Sequence, residues 1–269
     1  MDAAAGTARW IRGNAATADA LAAEGLDFAS ARAQRIAYYA VTDGDAAVLP
    51  GLLRHGLPLD APAEALAQPR KRLGEVLILT AMRRRRAALV TLLADEGWLA
   101  RLPKAEFSSA FAQGGGGGGD PALPARLVAA GADPAARDSE GRTALMNAVR
   151  AVAWINRDEA RAAVATIKPL VAAGVPPGAL DKEGRTALHE AGSYEAVVAL
   201  LAAGARADMV DKDGRSPVLE QWDDRAIVAL LEAGASPVGR GGDGKTLRER
   251  AAGAPMPATL AWLDAHKIK

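Results

Sequence analysis

The chain of 269 residues has no cysteine, which excludes a disulfide framework, a thiolate metal site and thiol chemistry. Aromatic residues make up 4% of it and histidines number three, His55, His189 and His266. None of these histidines has a neighbouring acid or thiol at metal-ligand spacing. Nothing in the sequence sets Ser, Asp and His out as nucleophile, base and orienter. The chain is therefore expected to be no enzyme and to use no cofactor or metal. Long apolar runs are missing too: neither a stretch of about 18 apolar residues nor an N-terminal signal core is present, so a cytoplasmic, non-membrane protein is expected. An excess of one charge is the last absence. With 33 basic and 32 acidic side chains the net charge is +1, which supplies no general pull toward nucleic acid or membranes.

What is present is repetition. Asp138 to Leu145 (DSEGRTAL), Asp181 to His189 (DKEGRTALH) and Asp211 to Val218 (DKDGRSPV) carry one pattern. The second and third go on to a Leu-Leu-x-Ala-Gly-Ala close at Leu200 to Ala205 and Leu230 to Ala235. Asp, two polar residues and Gly make a tight turn in which Gly takes a positive φ. The Thr or Ser that follows is a helix start, so Thr186 and Ser216 are expected to cap free amides, with Pro217 suited to the first turn. A short helix should follow. A second apolar run, Ala196 to Leu201 or Ala226 to Leu231, gives a second helix that Gly204 or Gly234 stops. Read backwards, the same stop falls at Gly174, Gly131, Gly97, Gly56 and Gly25. The gaps from the N-terminus are 31, 41, 34, 43, 30 and 30 residues. Gly13 to Ala16 (GNAA) also recurs at Gly44 to Ala47 (GDAA).

These segments resemble the ankyrin repeat, whose period is about 33 residues. The resemblance implies an all-α solenoid of stacked helix-turn-helix units spanning 1–269. Residues 1–130 would be divergent repeats, 131–250 clear repeats and 251–269 a C-terminal capping helix. It further implies a protein that binds another protein and is a monomer when free. The partner would meet the turn tips and first helices of the concave side: Arg142, Arg185 and Arg215 after the turn glycines, and Asn147, Glu190 and Glu220 on the first helices. Tyr194 and Trp222 lie near the start of second helices. Trp222 either packs under a shortened turn or anchors an interface. Among concrete roles the expectation is a bacterial cytoplasmic inhibitor, such as an immunity protein that neutralises a protein toxin. An effector that binds host proteins is the alternative, and an enzyme site within the divergent first hundred residues is a more remote one.

Four features depart from a plain repeat. Asp60 to Arg72 is expected as an enlarged loop between units, and the extra residues between Met146 and Lys168, Trp154 among them, as longer helices. Gly114 to Gly119 is expected as a flexible joint whose length is not critical. Gly239 to Thr246 matches the phosphate-loop pattern G-x-x-x-x-G-K-[ST], but no strand signal precedes it. It aligns with the repeat turns, so no binding of ATP or GTP is expected. Finally, Arg70-Lys71-Arg72 and Arg83 to Arg86 form a basic run. It is either a solvated helix end where cations favour the dipole or a docking site for an acidic protein surface. Nucleic acid ranks behind these, since no aromatic residue interleaves the run.

Overall fold

The computed structural model describes residues 16–43, 46–115, 120–152 and 157–268. Gly13 to Ala15, Gly44, Asp45, Gly116 to Gly119 and Trp154 lie outside the described residues. Within them the chain is mostly helical, as expected. The helices are α1 (Ala16–Ala23), α2 (Ala31–Thr42), α3 (Val48–Arg54), α4 (Leu73–Arg83), α5 (Ala87–Asp95), α6 (Lys104–Ala110) and α7 (Leu123–Ala129). They continue with α8 (Ala144–Val152), α9 (Arg157–Ala172), α10 (Tyr194–Ala202), α11 (Asp224–Glu232), α12 (Leu247–Gly253) and α13 (Pro257–Ala265). The added length between Met146 and Lys168 is helical, with α9 running for 16 residues. Helix α12 crosses the boundary at 250/251 expected between repeats and cap.

The strongest regularity is how these helices end. Gly25, Gly56, Gly97, Gly131, Gly174, Gly204 and Gly234 all have positive φ. Each closes its helix with the same two backbone bonds, as where Gly234 N–H donates to Leu231 C=O at 3.0 Å and Ala235 N–H to Leu230 C=O at 2.9 Å. This left-handed closure satisfies carbonyls that a helix end would leave bare, and Gly adopts it without a Cβ penalty. Gly25, Gly56 and Gly97, whose sequence signal is weaker, show the same geometry as the rest.

The turns recur as closely. Asp138, Asp181 and Asp211 donate their N–H groups to the carbonyls of Arg142, Arg185 and Arg215 at 2.9, 3.0 and 2.9 Å. Their Oδ1 atoms accept the amides two and four residues on. Neighbouring turns are tied by one backbone bond each, from Lys182 N–H to Glu140 C=O and from Lys212 N–H to Glu183 C=O, both 3.0 Å.

Three expectations need correction. The helices after Thr186 and Ser216 are reduced to a turn and to a 3-10 segment, Pro217–Leu219. The next caps, Ser193 on α10 and Asp223 on α11, follow too soon to allow more. Ser216 caps nothing: its hydroxyl donates to Ser236 C=O at 2.7 Å, joining two units. The enlarged loop Asp60 to Arg72 contains an antiparallel hairpin, β1 (Pro62–Ala63) and β2 (Gln68–Arg72). Gln34 on α2 clamps it, donating to Pro62 C=O at 3.0 Å and accepting from Ala65 N–H at 3.4 Å.

Gly114 and Gly115 are also not part of a loose joint. They complete a π turn, Phe111–Gly115, and Gly114 is buried. A Cβ there would run into the Met82 carbonyl, with Arg85 Cγ at 3.0 Å and Arg83 C=O at 3.2 Å.

Contacts join successive elements of two rows. Helix α2 packs on α4, α4 on α6 and on the π turn, and the π turn on α8. In the other row α1 meets α3, and α7, α9, α10, α11 and α13 meet in sequence. Short helices of this kind are unstable alone, and packing on neighbours supplies their burial. One apolar cluster accordingly runs from Ala18 to Leu263 without a break.

Candidate protein-binding surface

Each expected surface arginine is held from behind. Arg142 Nε donates to Asp138 Oδ2 at 3.0 Å. Arg215 Nε donates to Asp211 Oδ2 at 3.1 Å, while its guanidinium also reaches Asp213 at 2.6 Å and lies 3.6 Å from Glu220. Arg185 turns instead to Glu190, at 3.2 Å, and to the His189 carbonyl, at 3.1 Å. The outcome is a row of half-buried arginine and carboxylate pairs, one per turn. Burial works to raise the carboxyls of Asp138 and Asp211, but hydrogen bonds outweigh it and hold both below the usual aspartate value. For Asp138 these come from Asn147 and from the amides of Arg142 and Glu140. A cavity of about 220 Å³ opens between the first two turns, lined by Glu140, Arg142, Arg150, Lys182, Arg185 and Glu190 among others. Its mixed charges suit side chains of a partner better than a small apolar ligand.

Asn147 departs from expectation. It is buried, and its amide donates to Ala112 C=O and to Asp138 Oδ2, both at 2.9 Å. It is a brace between units and not a contact residue.

His189 is a brace as well. Its Nδ1 accepts the Thr186 amide at 3.0 Å, so the ring proton sits on Nε2, which donates to Arg215 C=O at 3.1 Å. One imidazole thereby fixes its own turn and the next one. Burial lowers its pKa from 6.5. A base whose folded pKa is depressed stabilises the fold fully above the unfolded value, and loses that contribution as the pH falls below it. Melting temperature should therefore drop by a few degrees between pH 7.5 and 5.5, and His189→Gln should flatten that step. An unchanged pH profile in the variant would show that other groups carry it.

Trp222 does not pack under a shortened turn: it is 62% exposed. Beneath it lies the Arg250 guanidinium, 4.7 Å from the ring centroid. Arg250 itself is 3% exposed and donates to Gln221 C=O at 3.0 Å, Leu219 C=O at 2.6 Å and Asp243 Oδ1 at 3.3 Å. Tyr194 also meets a guanidinium, that of Arg225, 4.7 Å from its ring, but with the burial reversed: the ring is half-buried and the arginine exposed. Among the described residues, three buried side-chain atoms lack a hydrogen-bond partner: Arg185 Nε, Glu220 Oε1 and Arg250 Nε. All three lie on this row.

The residues matching a phosphate loop form a fourth turn of the same family. Gly241 N–H donates to Lys245 C=O and Gly244 N–H to Gly241 C=O, both at 2.9 Å, and Gly244 has φ +74. No strand leads into it. The hydroxyl of Thr246, which a phosphate loop would turn to a metal ion, accepts Glu249 N–H in a capping box on α12.

The basic run splits in two. Arg85 is largely buried, its guanidinium pKa lowered by that burial, and it donates to Asn147 C=O. Arg86 reaches Thr42 C=O at 3.4 Å. The two staple the middle of α8 and the end of α2, while Arg83 and Arg84 stay exposed. Lys71 pairs with Glu106, and Arg72 donates to Asp60 C=O at 2.7 Å. His55 has an acid after all, since Asp19 lies 2.7 Å from its Nε2 and links α1 to α3. The sequence separation of this pair hid it. No group of three or more possible metal ligands occurs among the described residues, and no described helix is long and apolar enough to cross a membrane. No family model matches the sequence, and no curated protein matches it.

Proposed function

We propose that the chain is an ankyrin-type solenoid that binds another protein through the row of turns from Asp138 to Trp222. The observation that carries this is Trp222, exposed on a buried arginine that cannot move away. An exposed tryptophan with a fixed support offers a large contact area at little entropic cost, which is what interface anchors provide. The identical closures and turn ties from unit to unit support the solenoid. The Arg185 Nε atom, buried without a hydrogen-bond partner, supports the location, since a buried unsatisfied group in a native protein calls for an explanation such as a functional role. The role we attach is that of a non-enzymatic cytoplasmic inhibitor. It would cap a protein toxin, for which a rigid surface suffices.

Affinity capture from the native cell with the wild-type chain and with Trp222→Ala as paired baits tests both levels. The partner is expected on the first bait and reduced on the second by about 2 kcal/mol of affinity or more, at unchanged helical content. Equal recovery on both baits would sink the assignment of the surface. A host protein in place of a toxin would keep the surface and replace the role.

A further inference from the structure

Away from the turns, the first-row face of α2 and α4 carries a second patch that the proposed function does not use. Arg32, Arg35 and Tyr39 are exposed at helical spacing on one side of α2, and Arg83 and Arg84 are exposed at the end of α4. The two helices pack together, and the bond from Arg86 to Thr42 C=O brings their last turns side by side. Tyr39, 45% exposed, thus stands beside the basic run on a neighbouring helix. Among the described residues, the guanidinium groups of these four arginines make no ion pair or hydrogen bond, whereas those of Arg85 and Arg86 beside them are bound to backbone carbonyls. Helix α2 has no acidic residue. The nearby carboxylates include exposed Asp27 in the turn before α2, Asp43 at its end, Glu64 in the hairpin and a half-buried Glu75 on α4.

We infer that this patch docks an acidic protein segment, with Tyr39 as the contact at its centre and Arg32, Arg35, Arg83 and Arg84 around it. Unpaired cations attract carboxylates and raise the association rate, and an exposed Tyr supplies the desolvated contact that cations alone lack. The occupant is an acidic polypeptide and not a nucleic acid: Tyr39 is the exposed ring, its neighbour Tyr38 is half-buried and set edge-on to it at 6.5 Å, so the two offer no stacking platform for successive bases, and the chain's net charge of +1 gives no broad pull toward phosphates.

Fluorescence anisotropy of a labelled glutamate-rich peptide at low salt tests the inference, with a single-stranded oligonucleotide of equal charge as a second probe. Tyr39→Ala is expected to weaken peptide binding about tenfold. The pair Arg35→Glu with Arg83→Glu should weaken it at least as much, by an amount that shrinks as salt is added. Lys168→Glu, an exposed charge reversal on α9, should leave binding unchanged, as should Trp222→Ala. A loss from Lys168→Glu half as large on a logarithmic scale, matching its two-unit against the pair's four-unit change of charge, would reduce the effect to net charge and overturn the patch. Preference for the oligonucleotide, lost in the Tyr39 and Arg35/Arg83 variants, would overturn the acidic polypeptide as occupant. Because Trp222→Ala is scored separately on the captured partner, failure of either surface is read without the other.

Discussion

Gly241→Ala is expected to destabilise the chain by about 3 kcal/mol, and Gly241→Asp, which restores the residue type of the three other turns, should not repair it. In those turns the aspartate carboxylate accepts two backbone amides. At Gly241 the space for a Cβ is taken by the Arg250 guanidinium, and the Leu219 carbonyl lies 2.6 Å from where it would be placed. The carbonyl belongs to the backbone and cannot yield. Moving Arg250 would strip Leu219 and Gln221 of a donor and leave a buried charge without partners, for which costs of about 3 to 5 kcal/mol are usual. Denaturant unfolding followed by circular dichroism measures the loss. A double-mutant cycle with Arg250→Ala adds the cause: the two losses should sum to more than the loss of the double variant, because each disrupts the same contact. Wild-type stability in Gly241→Ala would refute the close packing at this turn.

The second large effect is expected at Gly114. Ala is the better helix former by about 1 kcal/mol, so propensity alone favours Gly114→Ala. Its methyl would however meet the Met82 carbonyl, which ends α4 and is fixed by that helix. Overpacking of this kind costs about 1 to 3 kcal/mol, and a contact to fixed backbone belongs at the upper end, so a net loss of up to roughly 2 kcal/mol should appear in the denaturation midpoint. The expectation of a joint of uncritical length therefore does not extend to Gly114, which belongs to the π turn. A stabilised Gly114→Ala protein would show that the π turn relaxes freely.

What the sequence disclosed follows from what local chemistry can specify. A left-handed helix stop admits little besides Gly, and an Asp-x-x-Gly turn needs its carboxylate and its positive φ within a few residues. Gly25 to Gly234 and the turns at Asp138, Asp181 and Asp211 were therefore legible from neighbours alone. The brace that His189 makes within its own turn is equally local, since its partner Thr186 lies three residues away. Long-range substitutions of one group for another were not. Arg250 aligns with Glu220 and Glu190, so it reads as another surface charge, yet it is buried, and only the absence of a side chain at Gly241 signals the space it fills. Asn147 looks like a contact residue until Ala112 is placed beside it. Arg85 and Arg86 cannot be told from Arg83 and Arg84 in a run of identical letters. The difference lies in which carbonyls the fold brings within reach, those of Asn147 and Thr42. Trp222 was visible as a residue of interest but its exposure was not, because that depends on the guanidinium below it.

The backbone ties between turns have one more consequence. Glu140 to Lys182 and Glu183 to Lys212 are joined by the same bond at the same 3.0 Å, although the longest described helix, α9, lies within the first interval and not within the second. Extra chain is taken up by the helical hairpin, and the spacing between turn tips does not register it. A partner that reads the tips, as proposed above, would meet an even ruler whatever the length of chain behind each mark. Residues added or lost within that hairpin would leave the ruler unaltered, whereas breaking a single tie would change that interval.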